Sequence, residues 1–205
     1  MIRRPPRSTP SNSSAASDVY KRQDIRSMLK GGWEIALHSD FISFNDLAHL
    51  KKEKIELEKI AGTKIFGNRV HFTLTDIRLY SNLKKLNFKY DSSVKNFRDQ
   101  IKQEDFGFYI KNGIIIFPIT FMDALIFTYF AKSEADVMKS LKQTIKTCER
   151  MHKKDKIITL IWHNCVLKMK YGRMYNEVLE YLTSQKNIEI KRGIDLVKMI
   201  EKNAF

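Results

Sequence analysis

The strongest constraint in this chain is a repeated pattern. Short apolar runs are each followed within a few residues by a histidine, arginine or carboxylate, and stretches of helical spacing separate them. WEIAL (33–37) leads into His38, KIF (64–66) into Arg69 and His71, and FKY (88–90) into Asp91. IIIFPI (114–119) leads towards Asp123, and IITLIW (157–162) into His163. The longer runs do not alternate apolar with polar residues, so both of their faces are expected to be covered. That is how strands of a parallel sheet read when helices pack on them. Between the runs, Leu47, Leu50, Leu57 and Ala61 share one helical face that ends at Gly62, with Ser43 and Asp46 placed to cap it. Residues 75–86 read as a second helix. Residues 133–152 read as a third, with Met138, Leu141, Ile145 and Cys148 aligned. A helix near 172–183, a strand at NIEI (187–190) and a last helix from Ile194 complete the series. The expected class is α/β. Periodicity alone leaves open whether the sheet is open or a closed barrel.

The first 23 residues stand apart. MIRRPPRSTPSNSSAASDVYKRQ holds three of the four prolines and no apolar run able to seed a core or serve as a secretory signal. It resembles an adapter-derived, non-native extension, so residues 24–205 are taken as the domain, and the segment that natively precedes Asp24 is expected to be lost. The formal charge is +14; residues 1–23 contribute +4, which leaves +10 on the domain. Those charges are spread through helical stretches such as KKEKIELEK among acids, as on a solvated helix face. No basic strip interleaved with aromatics marks a nucleic-acid partner. No apolar stretch reaches the roughly 18 residues of a membrane span. Cys148 and Cys165 form no CxxC and no disulfide framework, which favours a reducing, cytoplasmic setting.

In parallel α/β folds the chemistry gathers at the C-terminal ends of the strands. Histidines, an arginine and carboxylates converging there suit a metal hydrolase, in which neutral imidazoles hold a divalent ion and a further imidazole protonates the leaving group. Each residue also has a plainer reading. A strand-end histidine such as His71 also serves as a hydrogen-bonded structural group. Arg69 can pair with a carboxylate such as Asp91, and Asp123 can cap the segment after it. His49 and His152 read as surface helix residues, and Cys165 as a small buried apolar one.

The ordered segments resemble the NodB-type polysaccharide deacetylases, the family-four carbohydrate esterases. GGWEIALHSD is similar to that family's GHEIGLHS segment, GTKIFGNRVHF to its arginine segment in an Arg-x-His form, and FKYDSSV to its Tyr-Asp-Ser-Ser/Thr segment. FPITFMDA resembles its Pro-x-x-x-x-Asp segment and IITLIWHN its final strand. The resemblance covers roughly residues 24–200, in order. It implies a parallel-strand (β/α) barrel, incomplete at its first strand, and an activity that removes N-acetyl groups from a polysaccharide or its sugar precursor. By the same resemblance His38 is a metal ligand, with zinc the expected ion, and His163 is the general acid. Arg69 and Asp91 become positioning groups of the catalytic set. The usual second ligand lies four residues after the first, where this chain has Ile42; His71 or Asp40 is the expected substitute. The family's Asp-Asp pair, one metal ligand and one base, is absent from this sequence. Weak metal binding and no turnover are therefore expected of this chain. A carbohydrate-binding barrel with a decayed site is the alternative.

Overall fold

The computed structural model describes residues 23–96, 101–152, 155–163 and 172–203. The segment 1–22 and the expectation for Cys165 lie outside the described residues. After a helix at residues 23–30 (α1), the chain runs through β1 (Leu37–Ser39), α2 (Leu47–Ala61), β2 (Gly67–Val70), α3 (Ile77–Lys85) and β3 (Tyr90–Asp91). It continues through β4 (Tyr109–Lys111), β5 (Ile114–Ile116), β6 (Phe121–Met122), α4 (Glu134–Arg150), β7 (Leu160–Ile161), α5 (Gly172–Ser184) and α6 (Gly193–Glu201).

Strands β1, β2, β3 and β5 pair in parallel in that order, and β6 pairs in parallel with β7. The two sheets share one stave. The segment from Ile114 to Met122 leans on β3 at its start, where the Phe117 N–H donates to the Asp91 carbonyl (2.9 Å). It leans on the β7 strand at its end, where the Thr120 N–H donates to the Thr159 carbonyl (3.0 Å). The result is a curved wall of parallel staves, β1-β2-β3-β5/β6-β7, with all C-terminal ends at one rim. Among the described residues no strand bridges β7 back to β1. The expected α/β class and parallel strands are present, and the described part of the wall is open.

Period-two alternation decides what each strand shows to which side. Leu37, Val70, Ile114 and Ile116 pack outward with Leu50 and Ala61 of α2 and Leu79, Tyr80 and Leu83 of α3. Their neighbours face inward, so Tyr90, Ile115 and Phe117 pack with Ile157 and with Val197 of α6. A third cluster joins Phe121 and Phe127 to Val137, Leu141 and Ile145 of α4 and to Met174 and Val178 of α5. Alternation therefore places His38 and Arg69, which are register partners on β1 and β2, on the inward face.

The sequence expectations shift in detail. Residues 33–36 are not strand and Trp33 is exposed; β1 begins at Leu37, so His38 lies within the strand rather than after it. Asp46 alone caps α2, accepting from the Ala48 and His49 N–H groups, while Ser43 belongs to a short 3₁₀ turn (Phe41–Phe44). Gly62 ends α2 in the left-handed region (φ 69°), where a Cβ would be strained. The segment 187–190 is not a strand. Of its two isoleucines Ile190 is exposed and Ile188 packs against the core under α4 and α5, and no described strand lies beside the segment to pair with. The β4–β5 hairpin, turned by Asn112 (φ 52°) and Gly113 (φ 77°), was legible in its Asn-Gly pair and was not anticipated.

The base of the wall is fastened by α6. The Tyr90 hydroxyl donates to Glu34 Oε1 (3.0 Å), and Glu34 Oε2 accepts from the Ile194 N–H at the start of α6 (3.0 Å). Arg192 adds a bond to the Gly32 carbonyl (2.9 Å). A Cβ at Gly67 or at Gly193 would come within 2.2 Å or 2.4 Å of the Tyr90 ring. These two glycines therefore admit the ring between β2 and α6.

Candidate active site

Two histidine clusters occupy the rim. In the first, the Arg69 carbonyl accepts from His38 Nδ1–H (3.0 Å). A carbonyl cannot donate, so this bond fixes the tautomer and leaves the His38 Nε2 lone pair for other use. His71 Nδ1 lies 3.2 Å from that nitrogen. Two imidazole nitrogens, each roughly 2.0–2.1 Å from a tetrahedral zinc ion, stand about 3.3 Å apart. The pair thus fits as two donors to one ion, held in the orientation that such ligands usually receive from a second hydrogen bond. Among the described residues, no third His, Cys, Asp or Glu completes a three-ligand group around this pair. The group of three that does occur is Asp40, His49 and Glu53, whose ligand atoms lie within 4.8 Å of one another. His49, read from the sequence as a surface helix residue, has Nε2 at 3.8 Å from Asp40 and 4.0 Å from Glu53. The i,i+4 spacing of His49 and Glu53, beginning three residues beyond the cap Asp46 and close in sequence to His38, was the signal for it.

Arg69 does not pair with Asp91 by hydrogen bond. Its Nε and Nη2 donate to the Ser92 carbonyl (3.0 Å) and Ser92 Oγ (3.1 Å), tying the end of β2 to the end of β3. Burial pulls the guanidinium below its ordinary value, opposed by nearby Tyr90 and Asp91. Arg69 therefore acts on the site chiefly through its backbone carbonyl, which aims His38.

Asp91, the other expected positioning group, lies apart from both histidine clusters. It follows inward-facing Tyr90, so alternation turns it outward, and it is fully buried behind the wall. There Oδ1 accepts from Asn68 Nδ2 (2.9 Å) and Ser93 Oγ (2.7 Å), and Oδ2 from the Ser93 N–H (2.9 Å). Burial pushes its carboxyl up, against the pull of those hydrogen bonds. It braces the wall and does not reach the rim.

The second cluster is at the ends of β6 and β7. His163 Nδ1 lies 2.6 Å from Asp123 Oδ1, and the His163 N–H donates to Asp123 Oδ2 (2.8 Å). Asp123 is wholly buried and also accepts from the Ala124 N–H (2.7 Å) at the start of a π-helical turn (Ala124–Tyr129). It caps that turn, as expected, and it also holds His163, which sequence reasoning did not assign. The signal was present: both residues end apolar runs, and such runs pair in parallel. With Nδ1 committed to Asp123, Nε2 is the nitrogen His163 has left for a ligand, and its side chain is 37% exposed. A buried carboxylate that orients an exposed imidazole is the usual arrangement of a positioned acid or base.

Solved structures show the same wall. A probable polysaccharide deacetylase from Pseudomonas aeruginosa PAO1 superposes with a TM-score of 0.70 at 16% identity, over 93% of this chain and 67% of its own. The fold is that of the NodB-type deacetylases. Puue allantoinase shares this deacetylase-type fold at a TM-score of 0.66 and 17% identity, over 92% of this chain and 65% of its own. The 4-alpha-glucanotransferase of Thermococcus litoralis matches at 0.60 and 15% identity, where this chain spans 31% of that protein. No protein-family profile matches the chain, and no curated protein sequence does.

Proposed function

We propose that this deacetylase-type domain is a metal-dependent hydrolase that removes N-acetyl groups from a polysaccharide or its sugar precursor, in a cytoplasmic setting. The observation that carries the reading is the His163–Asp123 pair. In amide hydrolysis the amine leaves only once it is protonated, and when the imidazole is protonated, with its inner N–H donating to a buried carboxylate, the proton it can give up is on the outer nitrogen. His38 and His71 would hold the metal, with Arg69 aiming the first of them. Bound there, a divalent ion supplies Lewis acidity for the acyl carbonyl and makes water nucleophilic near neutral pH. The Asp-Asp pair that the resemblance implies as metal ligand and base is not in this sequence, so the chain by itself should turn over very slowly.

That gap makes the test specific. The full chain with zinc and an N-acetylglucosamine oligomer should release little acetate, as followed by proton NMR. Formate, a small external base, should raise the release, and His163→Ala should remove the gain by about 10²-fold or more. No acetate at any formate concentration would overturn the hydrolase reading. It would leave the second one, a glycan-binding barrel with a decayed site, which Ile42 favours because the fold's usual second imidazole is missing there.

A further inference from the structure

The loop that carries His71 is strained. Phe72 (φ 58°) and Thr73 (φ 55°) both sit in the left-handed region, which neither a bulky nor a β-branched residue adopts readily. Such outliers persist where the surrounding structure enforces them, and they gather at binding sites. The consequence of this one is visible. The Phe72 ring is 68% exposed instead of joining any core, and its centroid lies 4.1 Å from the His71 ring. The Phe41 ring, 48% exposed and in the 3₁₀ turn that follows His38, packs beside that of Phe72 with the two centroids 6.5 Å apart. The two rings are inclined at 48°, one from each of the two loops that flank the histidine pair. Asp40 and His49, both partly exposed, lie beside Phe41 and give the aromatic pair a polar flank.

From these faces we infer that Phe41 and Phe72 form a stacking subsite for a pyranose ring of the glycan, next to the sugar whose amide meets the histidine pair. An aromatic face carries partial negative charge. One side of a pyranose presents only C–H groups, while its rim presents hydroxyls. Two inclined rings beside a carboxylate and an imidazole match that division, whereas an apolar partner would desolvate the Asp40 carboxylate and the His49 imidazole with no new hydrogen bonds to offset the cost. The inference rests on the N-acetyl-glycan reading above.

The test titrates the full chain with N,N′,N″-triacetylchitotriose by calorimetry. Phe41→Ala and Phe72→Ala should each weaken binding tenfold or more, and Phe72→Tyr should keep it within threefold. Phe72→Gly relieves the backbone strain, so it should fold with a thermal midpoint no lower than that of the parent while losing the affinity. A double Phe41→Ala/Phe72→Ala chain that binds within threefold of the parent would overturn the subsite, as would a parent chain that fails to bind the trisaccharide at millimolar concentration. Aromatic-dependent binding without formate-supported acetate release would uphold the subsite and sink the hydrolase reading. Acetate release with binding indifferent to both rings would do the reverse.

Discussion

At the scale of single residues, the division of labour among the aspartates follows from which way each strand residue points. Asp123 and Asp91 both end apolar runs, and both are buried, yet only Asp123 meets an imidazole. Asp123→Asn keeps the size and puts an amide donor into a position that must accept from His163 Nδ1–H and from backbone N–H groups. On the proposed reading, in which His38 and His71 hold the metal, formate-supported acetate release should therefore fall by 10² or more while zinc affinity stays within about threefold. Asp91→Ala should act on folding alone. It strands the Asn68 amide and the Ser93 N–H without their acceptor, at a cost on the order of 3 kcal/mol. Urea unfolding should show that loss, with trisaccharide affinity unchanged in the folded chain. The sequence singled out His38, Arg69 and His163 because each follows an apolar run within three residues. It could not rank Asp91 below Asp123, because direction depends on strand register, and a one-residue shift exchanges the two faces.

At the scale of elements, the helices were easier to read than the strands. Helix α4 announces itself with Ser133 at the cap and Asp136 three residues on, and the structure has both halves of that capping box. The hydrogen bonds from Ser133 hold the Asp136 carboxyl below its usual range. A depressed folded value means stability that is present above the unfolded pKa of about 3.9 and lost as pH falls through the folded one. Ser133→Ala should accordingly lower the thermal midpoint at pH 7 and show a shrinking difference from the parent as the pH is taken from 5 towards 2. The strands are two to four residues long. At that length an apolar run fixes existence but not boundaries, which is why β1 begins four residues after the expected WEIAL start. Tyr90 shows the same limit from another side. Nothing in FKYD tells a reader that Gly67 and Gly193 leave room for its ring. Gly67→Ala should cost about 2 kcal/mol, because the ring is confined by α6 and cannot retreat.

At the scale of the whole molecule, resemblance and structure agree on the deacetylase-type wall, and the ordered segments carried that further than any one motif. Closure is a matter between distant parts of the chain, which local pattern does not record. Deleting residues 191–205 should bring down the entire transition and not merely fray one end, and hydrogen exchange should show β3 amides losing protection together with those of β2. The reason is the grip of α6 on Glu34, Tyr90 and Gly32 across 160 positions of sequence at its widest. That grip has a consequence during synthesis. The ribosome tunnel hides the most recently made residues, so for an interval after their synthesis Arg192 and Ile194 cannot reach Gly32 and Glu34. Through that interval the nascent chain waits with its inner face uncovered, and it is then that a chaperone would matter most to it.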